Sequence, residues 1–195
     1  TKITQKEVRR YPYPPFTTST LQQAASNKLG MSAKKTMMLS QNLYEHGFIT
    51  YMRTDSVNLS AQAIGLVRSY IGDSIGKAYL PKTARIFKSK SKNAQEAHEA
   101  IRVTDIRVKG EGLKGKSDFN EQSSSLNKDH IRLYDLIWKR FVACQMSEAV
   151  MDQTSVDVIA GDYLFRATGS VIKFEGWLKL YGKEAEEDGE EKKQV

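Results

Sequence analysis

The stretch ITYMRTDSVN, residues 49–58, places a tyrosine and an arginine two positions apart in a segment that we predict to be extended. Side chains at positions i and i+2 of an extended chain point to the same side, so Tyr51 and Arg53 should be neighbours. A neighbouring cation lowers the pKa of a phenol, ordinarily about 10, and neutralises charge that develops on a phosphate. The pair provides the two groups that a tyrosine needs to attack a phosphodiester. A Tyr-x-Arg pair on its own, however, is more often the amphipathic edge of a strand without a catalytic role.

Three short polar residues, Thr54, Asp55 and Ser56, follow this pair directly. We interpret them as supporting groups around Tyr51 and Arg53. Asp55 would orient Arg53 through an ion pair, or else belong to a turn or a helix cap.

Composition indicates a globular protein. The chain has 195 residues, enough for one large or two small domains, and is 39% hydrophobic and 27% charged. No apolar run approaches the length of a membrane span, roughly 20 residues, and the polar N-terminus shows no signal peptide. The single Cys144 excludes an internal disulfide and a multi-cysteine zinc site, and we expect it in the core. These features favour a reducing cytoplasm.

Charge is distributed unevenly along the chain. The net charge is +7, but residues 183–195 contain six acids and three bases, which leaves 27 bases and 17 acids, or +10, over residues 1–182. Such an excess favours a polyanionic partner such as nucleic acid. Residues 77–92 hold six basic residues and no acid, so we predict an exposed loop that contacts DNA backbone or is simply solvated.

Helix start and stop signals recur over the first three quarters of the chain. N-cap residue types stand at Thr17, Thr18 and Ser19 and again at Ser32 and Ser60, and Gly30 and Gly47 are typical C-terminal stops. Residues 109–130 are rich in glycine, serine and charge, which predicts a surface insertion. The predicted helices cover residues 20–29, 33–46, 61–79, 94–102 and 129–146.

Alternating apolar and polar residues near the C-terminus predict β structure, with turns at Gly161-Asp162 and Gly169-Ser170. Residues 1–13 also have strand character before Pro14-Pro15 interrupts regular structure. The predicted fold is therefore mixed and mainly α. The three predicted strands cover residues 155–159, 163–168 and 171–181.

Two further blocks accompany residues 49–58, namely PPFTTSTLQQAA at 14–25 and AHEAIR at 97–102. In this order and spacing the three blocks resemble the type IA DNA topoisomerases, and Met52 is similar to the bacterial branch of that family. The resemblance runs from about residue 11 to about residue 181. It implies a central fragment that carries the active-site tyrosine but lacks the TOPRIM domain of such enzymes.

The resemblance also implies an architecture. Residues 14–148 would form the helical domain III, of winged-helix or CAP-like type. Residues 1–13 and 149–182 would belong to domain II, an antiparallel β arch around a central hole. Residues 183–195 would be an acidic loop or the end of the piece.

The chemistry that the resemblance implies is transesterification. Tyr51 would form a 5′-phosphotyrosine link, the other strand would pass, and the freed 3′-hydroxyl would reseal the break, relaxing negative supercoils without ATP. In agreement, the sequence contains no GxxxxGK[ST] phosphate loop. Arg53 would hold the phosphate and favour the tyrosinate. His98 would contact phosphate as a proton donor or cation, although a lone histidine is more often structural.

DNA-binding or supporting roles are implied for a wider set of polar residues. Several stand at a predicted helix N-terminus, where backbone N–H groups favour phosphate, but helix capping explains them equally well. Gln41 would face a DNA base or phosphate. The set comprises Thr18, Ser19, Thr20, Gln22, Gln41, Thr54, Asp55, Ser56 and Arg102.

The AHEAIR block is predicted to be helical, which would place Arg102 on the same helix face as His98, four residues earlier. Arg102 would then contact phosphate or support the site, and Glu99 would support the surroundings of His98. Val103 stands where the family usually has proline, which weakens the expected helix stop.

No metal site is expected in this chain, because nothing in it resembles the acidic cluster of a TOPRIM domain. Mg²⁺ would be bound by that absent domain in the full enzyme. Expected partners are DNA, mainly single-stranded, and the TOPRIM domain of the same polypeptide, in the cytoplasm with the nucleoid. The chain alone is expected not to relax DNA.

Three other functions compete with this reading. The first is a module that binds single-stranded DNA without cutting it, through aromatic and basic residues. The second is another tyrosine transesterifier, such as a site-specific recombinase, which would need several Arg and His residues spread before its tyrosine. The third is a helical interaction domain that binds no nucleic acid.

Overall fold

The computed structural model describes residues 1–87, 99–109 and 126–182. The chain divides into two compact units. One is the helical unit, Tyr13–Gln145, and the other combines Thr1–Pro12 with the chain from Met146 onward. The mixed helix-and-sheet fold is confirmed. No helix among the described ranges is long and apolar enough to cross a membrane.

The described part of the helical unit contains four α-helices. Three of them begin at N-cap candidates that the sequence offered, and Thr17 is the cap among the three candidates before the first helix. Thr17 caps α1, Ser32 caps α2 and Ser60 caps α3, each by accepting a hydrogen bond from a backbone N–H of the first turn. Gly30 ends α1 in the left-handed conformation, with φ of 68°. The bounds are α1 Thr18–Leu29, α2 Ala33–Glu45, α3 Ala61–Tyr70 and α4 Lys128–Ala143.

The predicted helix over residues 61–79 is too long. Regular α-helix ends at Tyr70, and a π turn at Ile71–Ile75 and a 3-10 turn at Lys77–Tyr79 follow. Gly76 separates these turns with φ of 129°, which a residue with a side chain rarely adopts. The predicted basic loop therefore begins with a 3-10 turn, is irregular over residues 80–87, and otherwise lies outside the described residues.

The predicted helix over residues 94–102 is wrong in its described part, residues 99–102. Ile101 forms an antiparallel bridge with Phe16, and Val103 forms one with Ile49. Ile101 and Val103 are both fully buried, and β-branched residues favour such extended pairing over a helix. Arg102 therefore shares no helix face with His98, which lies outside the described residues.

The amphipathic helix α4 provides much of the core of the helical unit. Leu133, Ile137 and Phe141 lie on its buried face, and the Tyr134 hydroxyl donates to the carbonyl of Val108 at 3.0 Å. Burial raises the pKa of Tyr134. Cys144 is fully buried, as predicted, and burial raises the pKa of its thiol to about 12.

The β unit is a three-stranded antiparallel sheet in the order β1-β2-β3. Its second predicted turn is wrong, because Gly169 pairs with Thr154 and β3 runs straight through it. Of the two predicted turns, only Gly161-Asp162 reverses the chain, and Gly161 adopts φ of 61° there. The strands are β1 Lys2–Arg10, β2 Ala149–Ala160 and β3 Tyr163–Phe174.

The predicted strand 171–181 is also wrong beyond Phe174, since Gly176–Leu180 forms a 3-10 turn. Trp177 explains this turn, because it is buried and its Nε1 donates to the carbonyl of Arg10 at 3.0 Å. Folding back buries a large indole that an exposed strand would leave in water.

The β2–β3 hairpin exposes apolar side chains on both faces near its turn. Ile159 pairs with Leu164 on one face, and Val158 pairs with Phe165 on the other. Ile159 is 71% exposed and Phe165 is 60% exposed. Among the strands that the structure describes, none pairs with the outer edge of β3.

His130 makes the stability of the helical unit sensitive to pH. Its ring is buried between Asn127, with Nδ1 2.9 Å from Oδ1, and Asn42, with Nε2 3.3 Å from Oδ1. Burial, and then the charge of His46, lower the pKa of His130 below its ordinary value, against a smaller opposing effect of Asp129. The unfolded chain therefore binds the proton more strongly, so stability is complete above about pH 6.5 and falls in more acidic solution.

We expect the melting temperature to decrease between pH 7 and pH 5, and to decrease less in His130→Gln. Circular dichroism melts of both proteins in matched buffers measure this difference. Identical pH slopes for the two proteins would contradict the role of His130.

Candidate active site

The segment that carries Tyr51 is irregular rather than part of the predicted strand, although exposure alternates along it. Tyr51 is 47% exposed, whereas Met52 beside it is 1% exposed. The alternation places the phenol and the guanidinium of Arg53 on the solvent side. Three residues are exposed, Tyr51, Arg53 and Asp55, and three are buried, Met52, Thr54 and Ser56.

Thr18, the first residue of α1, holds this segment from one side. Its hydroxyl donates to the carbonyl of Met52 at 2.7 Å and accepts from the N–H of Thr54 at 2.9 Å. Its own N–H donates to the carbonyl of Thr54 at 2.9 Å. The main chain on either side of Arg53 is therefore fixed to the start of a helix. The hydroxyl of Thr18 is engaged by protein atoms, so its contribution is to position the segment.

Thr50 holds the same segment from the other side. Its N–H donates to the carbonyl of Arg102 at 2.9 Å, and its hydroxyl donates to the carbonyl of Ala100 at 2.7 Å. The N–H of Arg102 donates back to the Thr50 hydroxyl at 2.9 Å. Residues 100–102 thus lie beside the residue that precedes Tyr51. His98 stands two residues before Ala100, outside the described residues.

Arg102 is engaged in structural contacts. Its Nε lies 2.8 Å from Glu99 Oε1 and its Nη2 lies 2.9 Å from Glu99 Oε2, a two-pronged ion pair with the guanidinium side chain 15% exposed. Glu99 also accepts the N–H of Ser60, the N-cap of α3, at 2.9 Å. Burial would raise the pKa of Glu99, but the hydrogen bonds from Arg102 and Ser60 outweigh it and the pKa is lowered. This geometry favours the supporting role for Arg102 over phosphate contact.

Arg53 and Asp55 are exposed, whereas the side chain of Arg102 is mostly buried. Within the described ranges no ion pair joins Asp55 to Arg53, so the suggested orientation of Arg53 by Asp55 is not formed. Thr54 and Ser56 are buried, and their hydroxyls accept the N–H groups of Ser56 and Asn58 at 3.0 and 3.1 Å. These two hydroxyls fix the main chain that follows the exposed pair.

Tyr44 is a neighbour of Tyr51 that sequence reasoning missed. Their rings meet edge to face, with centroids 5.2 Å apart and an interplanar angle of 66°. Tyr44 lies in the last turn of α2. The feature of the sequence that could have identified it is an aromatic residue shortly before Gly47, the predicted helix stop. Thr50 was also missed, and its signal was a hydroxyl adjacent to the tyrosine.

The remaining candidates lie along α1 and α2. Thr20 forms a capping box with Thr17, with reciprocal hydrogen bonds of 2.9 and 3.3 Å, and Ser19 Oγ lies 3.1 Å from the Thr17 hydroxyl. Gln22 follows on α1 and is half-buried. Gln41, on α2, donates from its side-chain amide to Glu45 at 2.6 Å. The sequence allowed two interpretations of Thr20, phosphate binding and helix capping. The structure favours helix capping.

Replacing Thr18 by valine tests the first of the two anchors. Valine keeps the shape of threonine but leaves the Met52 carbonyl and the Thr54 N–H without their partner. We expect the free energy of unfolding to fall by about 2 kcal/mol, because buried polar groups lose their hydrogen bonds. Urea unfolding followed by circular dichroism measures the change.

Two control variants accompany this measurement. Thr18→Ser keeps the hydroxyl and should remain close to the starting stability. Thr168→Val, at an exposed site on β3 where Oγ1 lies 3.2 Å from Ser155 Oγ, should change stability by less than about 0.5 kcal/mol. If Thr18→Val unfolds at the same urea concentration as Thr168→Val, the anchor is unimportant.

A metal-binding role finds no support in the described residues. No group of three or more His, Cys, Asp or Glu side chains among them could hold a metal ion. The oxygen ligands that Mg²⁺ prefers are therefore not gathered in the part of the chain that the structure describes. We assign no step of the chemistry to a metal bound by these residues.

Comparison with known proteins finds similarity to DNA topoisomerases. A family model described as DNA topoisomerase matches residues 1–195. DNA topoisomerase 1 of Pseudomonas aeruginosa is 54% identical over 169 residues, which cover 87% of this chain and 18% of that protein. DNA topoisomerase 1 of Escherichia coli is 52% identical over the same shares. DNA topoisomerase 1 of Rickettsia felis is 47% identical, covering 100% of this chain and 25% of that protein.

A solved structure is also similar. Full-length topoisomerase I from Thermotoga maritima superimposes with a TM-score of 0.75 and 35% sequence identity, over 93% of this chain and 29% of that chain. The chain thus spans about a fifth to a quarter of the length of the curated relatives that it matches. Because the family model covers every residue and bacterial relatives are about half identical, the chain belongs to the bacterial DNA topoisomerase family.

Proposed function

We propose that this chain carries the nucleophile of a type IA DNA topoisomerase, and that the nucleophile is Tyr51. The phenol oxygen attacks a backbone phosphorus of one DNA strand, and the bond from phosphorus to the 3′-oxygen breaks. The phenol proton leaves, the 3′-oxygen takes up a proton, and a 5′-phosphotyrosine link remains. The reverse reaction reseals the strand without ATP.

One observation above all supports this proposal. Tyr51 is half exposed and Arg53 is exposed on a segment whose main chain is anchored by Thr18 on one side and by Thr50 on the other. A nucleophile and a cation must be held in place before substrate arrives, because reorganisation during the reaction raises the barrier. Arg53 makes no ion pair within the described residues, so its guanidinium is available to a phosphate.

The proposal also assigns roles to other residues and to the domains. His98 donates a hydrogen bond or proton to the scissile phosphate, and Gln22 and Gln41 contact the bound strand. Residues 14–148 act as the winged-helix, CAP-like domain, and residues 1–13 and 149–182 act as part of the β arch. In the full enzyme a TOPRIM domain binds Mg²⁺, and the whole relaxes negative supercoils in the cytoplasm, with the nucleoid.

Covalent trapping tests the proposal. The chain is mixed with Mg²⁺ and a single-stranded oligonucleotide carrying a 3′ label, with and without a separately prepared TOPRIM domain. We expect label to enter the protein band of a denaturing gel only when both pieces are present. Digestion and mass spectrometry should place the linked nucleotide on the peptide that contains Tyr51.

The label position provides an internal control. A 5′ label should stay with the released fragment, because the protein retains the 5′-phosphate end. The assignment of Tyr51 would be contradicted by linkage to any other residue. It would also be contradicted by a lack of linkage when both pieces bind DNA.

A module that binds single-stranded DNA without cutting it is the second candidate. The net charge of +10 over residues 1–182 favours binding to a polyanion whether or not cleavage follows. This function predicts binding that weakens steeply with salt and no covalent product under any of the trapping conditions.

A further inference from the structure

The rings of Tyr44 and Tyr51 pack together although both side chains are partly exposed. Their centroids are 5.2 Å apart with an interplanar angle of 66°, inside the range of about 4.5–7 Å that edge-to-face aromatic pairs prefer. Tyr44 is 40% exposed and Tyr51 is 47% exposed. The contact therefore lies at the surface of the helical unit and not in its core.

The main chain beneath both rings is fixed by hydrogen bonds. Tyr44 stands in the last turn of α2, where its carbonyl accepts the N–H of Gly47 at 2.8 Å. Thr50 and Met52, on either side of Tyr51, are held by the hydrogen bonds described above. These bonds set the position of the Tyr51 main chain, but they do not set the direction of its side chain.

A single torsion angle, χ1, decides where the phenol oxygen of Tyr51 lies. The oxygen is on the axis of the Cβ–Cγ bond, so rotation of the ring about that bond leaves the oxygen in place. Rotation about χ1 moves it between three staggered positions. Within the described ranges, the Tyr51 hydroxyl has no hydrogen-bond partner and Tyr44 is the one ring that packs on it. A change of χ1 carries the ring away from Tyr44, so the contact favours one of the three positions.

We propose that Tyr44 is a positioning residue, which selects the χ1 rotamer from which Tyr51 attacks the scissile phosphate. The attacking oxygen must approach opposite the leaving 3′-oxygen, so the rate depends on how often it is already in line. Displacement of a reacting atom by about 1 Å costs about 10²-fold in rate. The inference rests on the proposed function, because that function makes Tyr51 the nucleophile.

Nuclear magnetic resonance of the whole chain tests the restraint without DNA. The Hα–Hβ couplings of Tyr51 report its χ1, and its signals are assigned by their absence in Tyr51→Phe. We expect the couplings of one staggered rotamer in wild type and in Tyr44→Phe, which keeps the ring and lacks only the hydroxyl. Tyr44→Leu should give averaged couplings while keeping its melting temperature, since leucine is a good helix former and the site is exposed.

Covalent trapping tests the consequence for the reaction. Linkage is timed at saturating single-stranded oligonucleotide with Mg²⁺ and the TOPRIM domain, and DNA affinity is measured separately by fluorescence anisotropy without Mg²⁺. We expect Tyr44→Leu to link about threefold to tenfold more slowly with unchanged affinity, as loss of one aromatic pair among three rotamers predicts. Tyr44→Phe should link at the wild-type rate. Met38→Leu, at a 58% exposed position of the same helix, is the matched control and should also link at that rate.

The outcomes separate this inference from the proposed function. Equal couplings in wild type and Tyr44→Leu, or equal linkage rates, overturn the positioning role even if Tyr51 is the nucleophile. A weaker DNA affinity with a normal rate at saturation also overturns it, since Tyr44 would then contact DNA. Averaged couplings in Tyr44→Leu, together with no covalent link in wild type, support the restraint and refute the cleavage proposal.

Discussion

Tyr51→Phe is expected to abolish covalent linkage to DNA while leaving the fold intact. The change removes one oxygen atom and keeps the ring, so the edge-to-face contact with Tyr44 remains. Loss of a nucleophile removes the covalent route altogether, which corresponds to a decrease of about 10⁴-fold or more in product formation. The trapping assay with the TOPRIM domain present measures it directly.

The control for this variant is Tyr163→Phe, which makes the same change at a tyrosine 73% exposed in the β unit. It should link to DNA at the wild-type rate. Both variants should unfold within about 0.5 kcal/mol of wild type, since each removes a hydroxyl from an exposed ring. Residual linkage in Tyr51→Phe at the level of Tyr163→Phe would show that another group is the nucleophile.

Gly176→Ala is expected to have the largest effect on the β unit. A Cβ at this position would lie 2.3 Å from the carbonyl oxygen of Glu148 and 2.6 Å from that of Ser147. The residue also has φ of 52°, which disfavours any side chain. The left-handed conformation costs about 1–2 kcal/mol and overpacking against main chain about 1–3 kcal/mol, so we expect a loss of about 3 kcal/mol.

Two other glycines separate these two causes. Gly161→Ala keeps the positive φ but meets no atom within 4 Å, so it should cost about 1 kcal/mol. Gly169 is free of both constraints, and Gly169→Ala should be nearly neutral. Urea unfolding followed by tryptophan fluorescence compares the three variants, since Trp177 lies in the same β unit as all three sites. If Gly176→Ala resembles Gly161→Ala, the close approach to Glu148 is unimportant.

Local signals predicted those parts of the fold that depend on local physics. Ser32 and Ser60 cap helices because their hydroxyls accept hydrogen bonds from N–H groups three residues on, and the pattern is visible in the sequence. Gly169-Ser170 looks identical in kind to Gly161-Asp162, yet only the second is a turn. Pairing of Gly169 with Thr154 decides between them, and pairing across strands is not a local property.

The sequence indicated which residues are presented at the candidate site but not what supports them. The spacing of Tyr51 and Arg53 predicted two side chains on the same side of one segment, and both are exposed. The sequence could not show that Thr18, thirty-odd positions earlier, anchors that segment, or that Arg102 is occupied by Glu99. The first contact joins residues far apart in the chain, and the second pairs Arg102 with Glu99 on extended backbone where the sequence predicted a helix.

The exposed end of the β2–β3 hairpin bears on how the purified chain behaves in solution. Among the described strands β3 is an edge strand, and an edge lined by residues such as Leu164 and Phe165 is a template for pairing with another molecule. Aggregation of concentrated samples should therefore begin at β3, and a lysine introduced at Phe165 should delay the onset of light scattering. A few side chains at the tip of one hairpin are therefore where we expect association between molecules to begin.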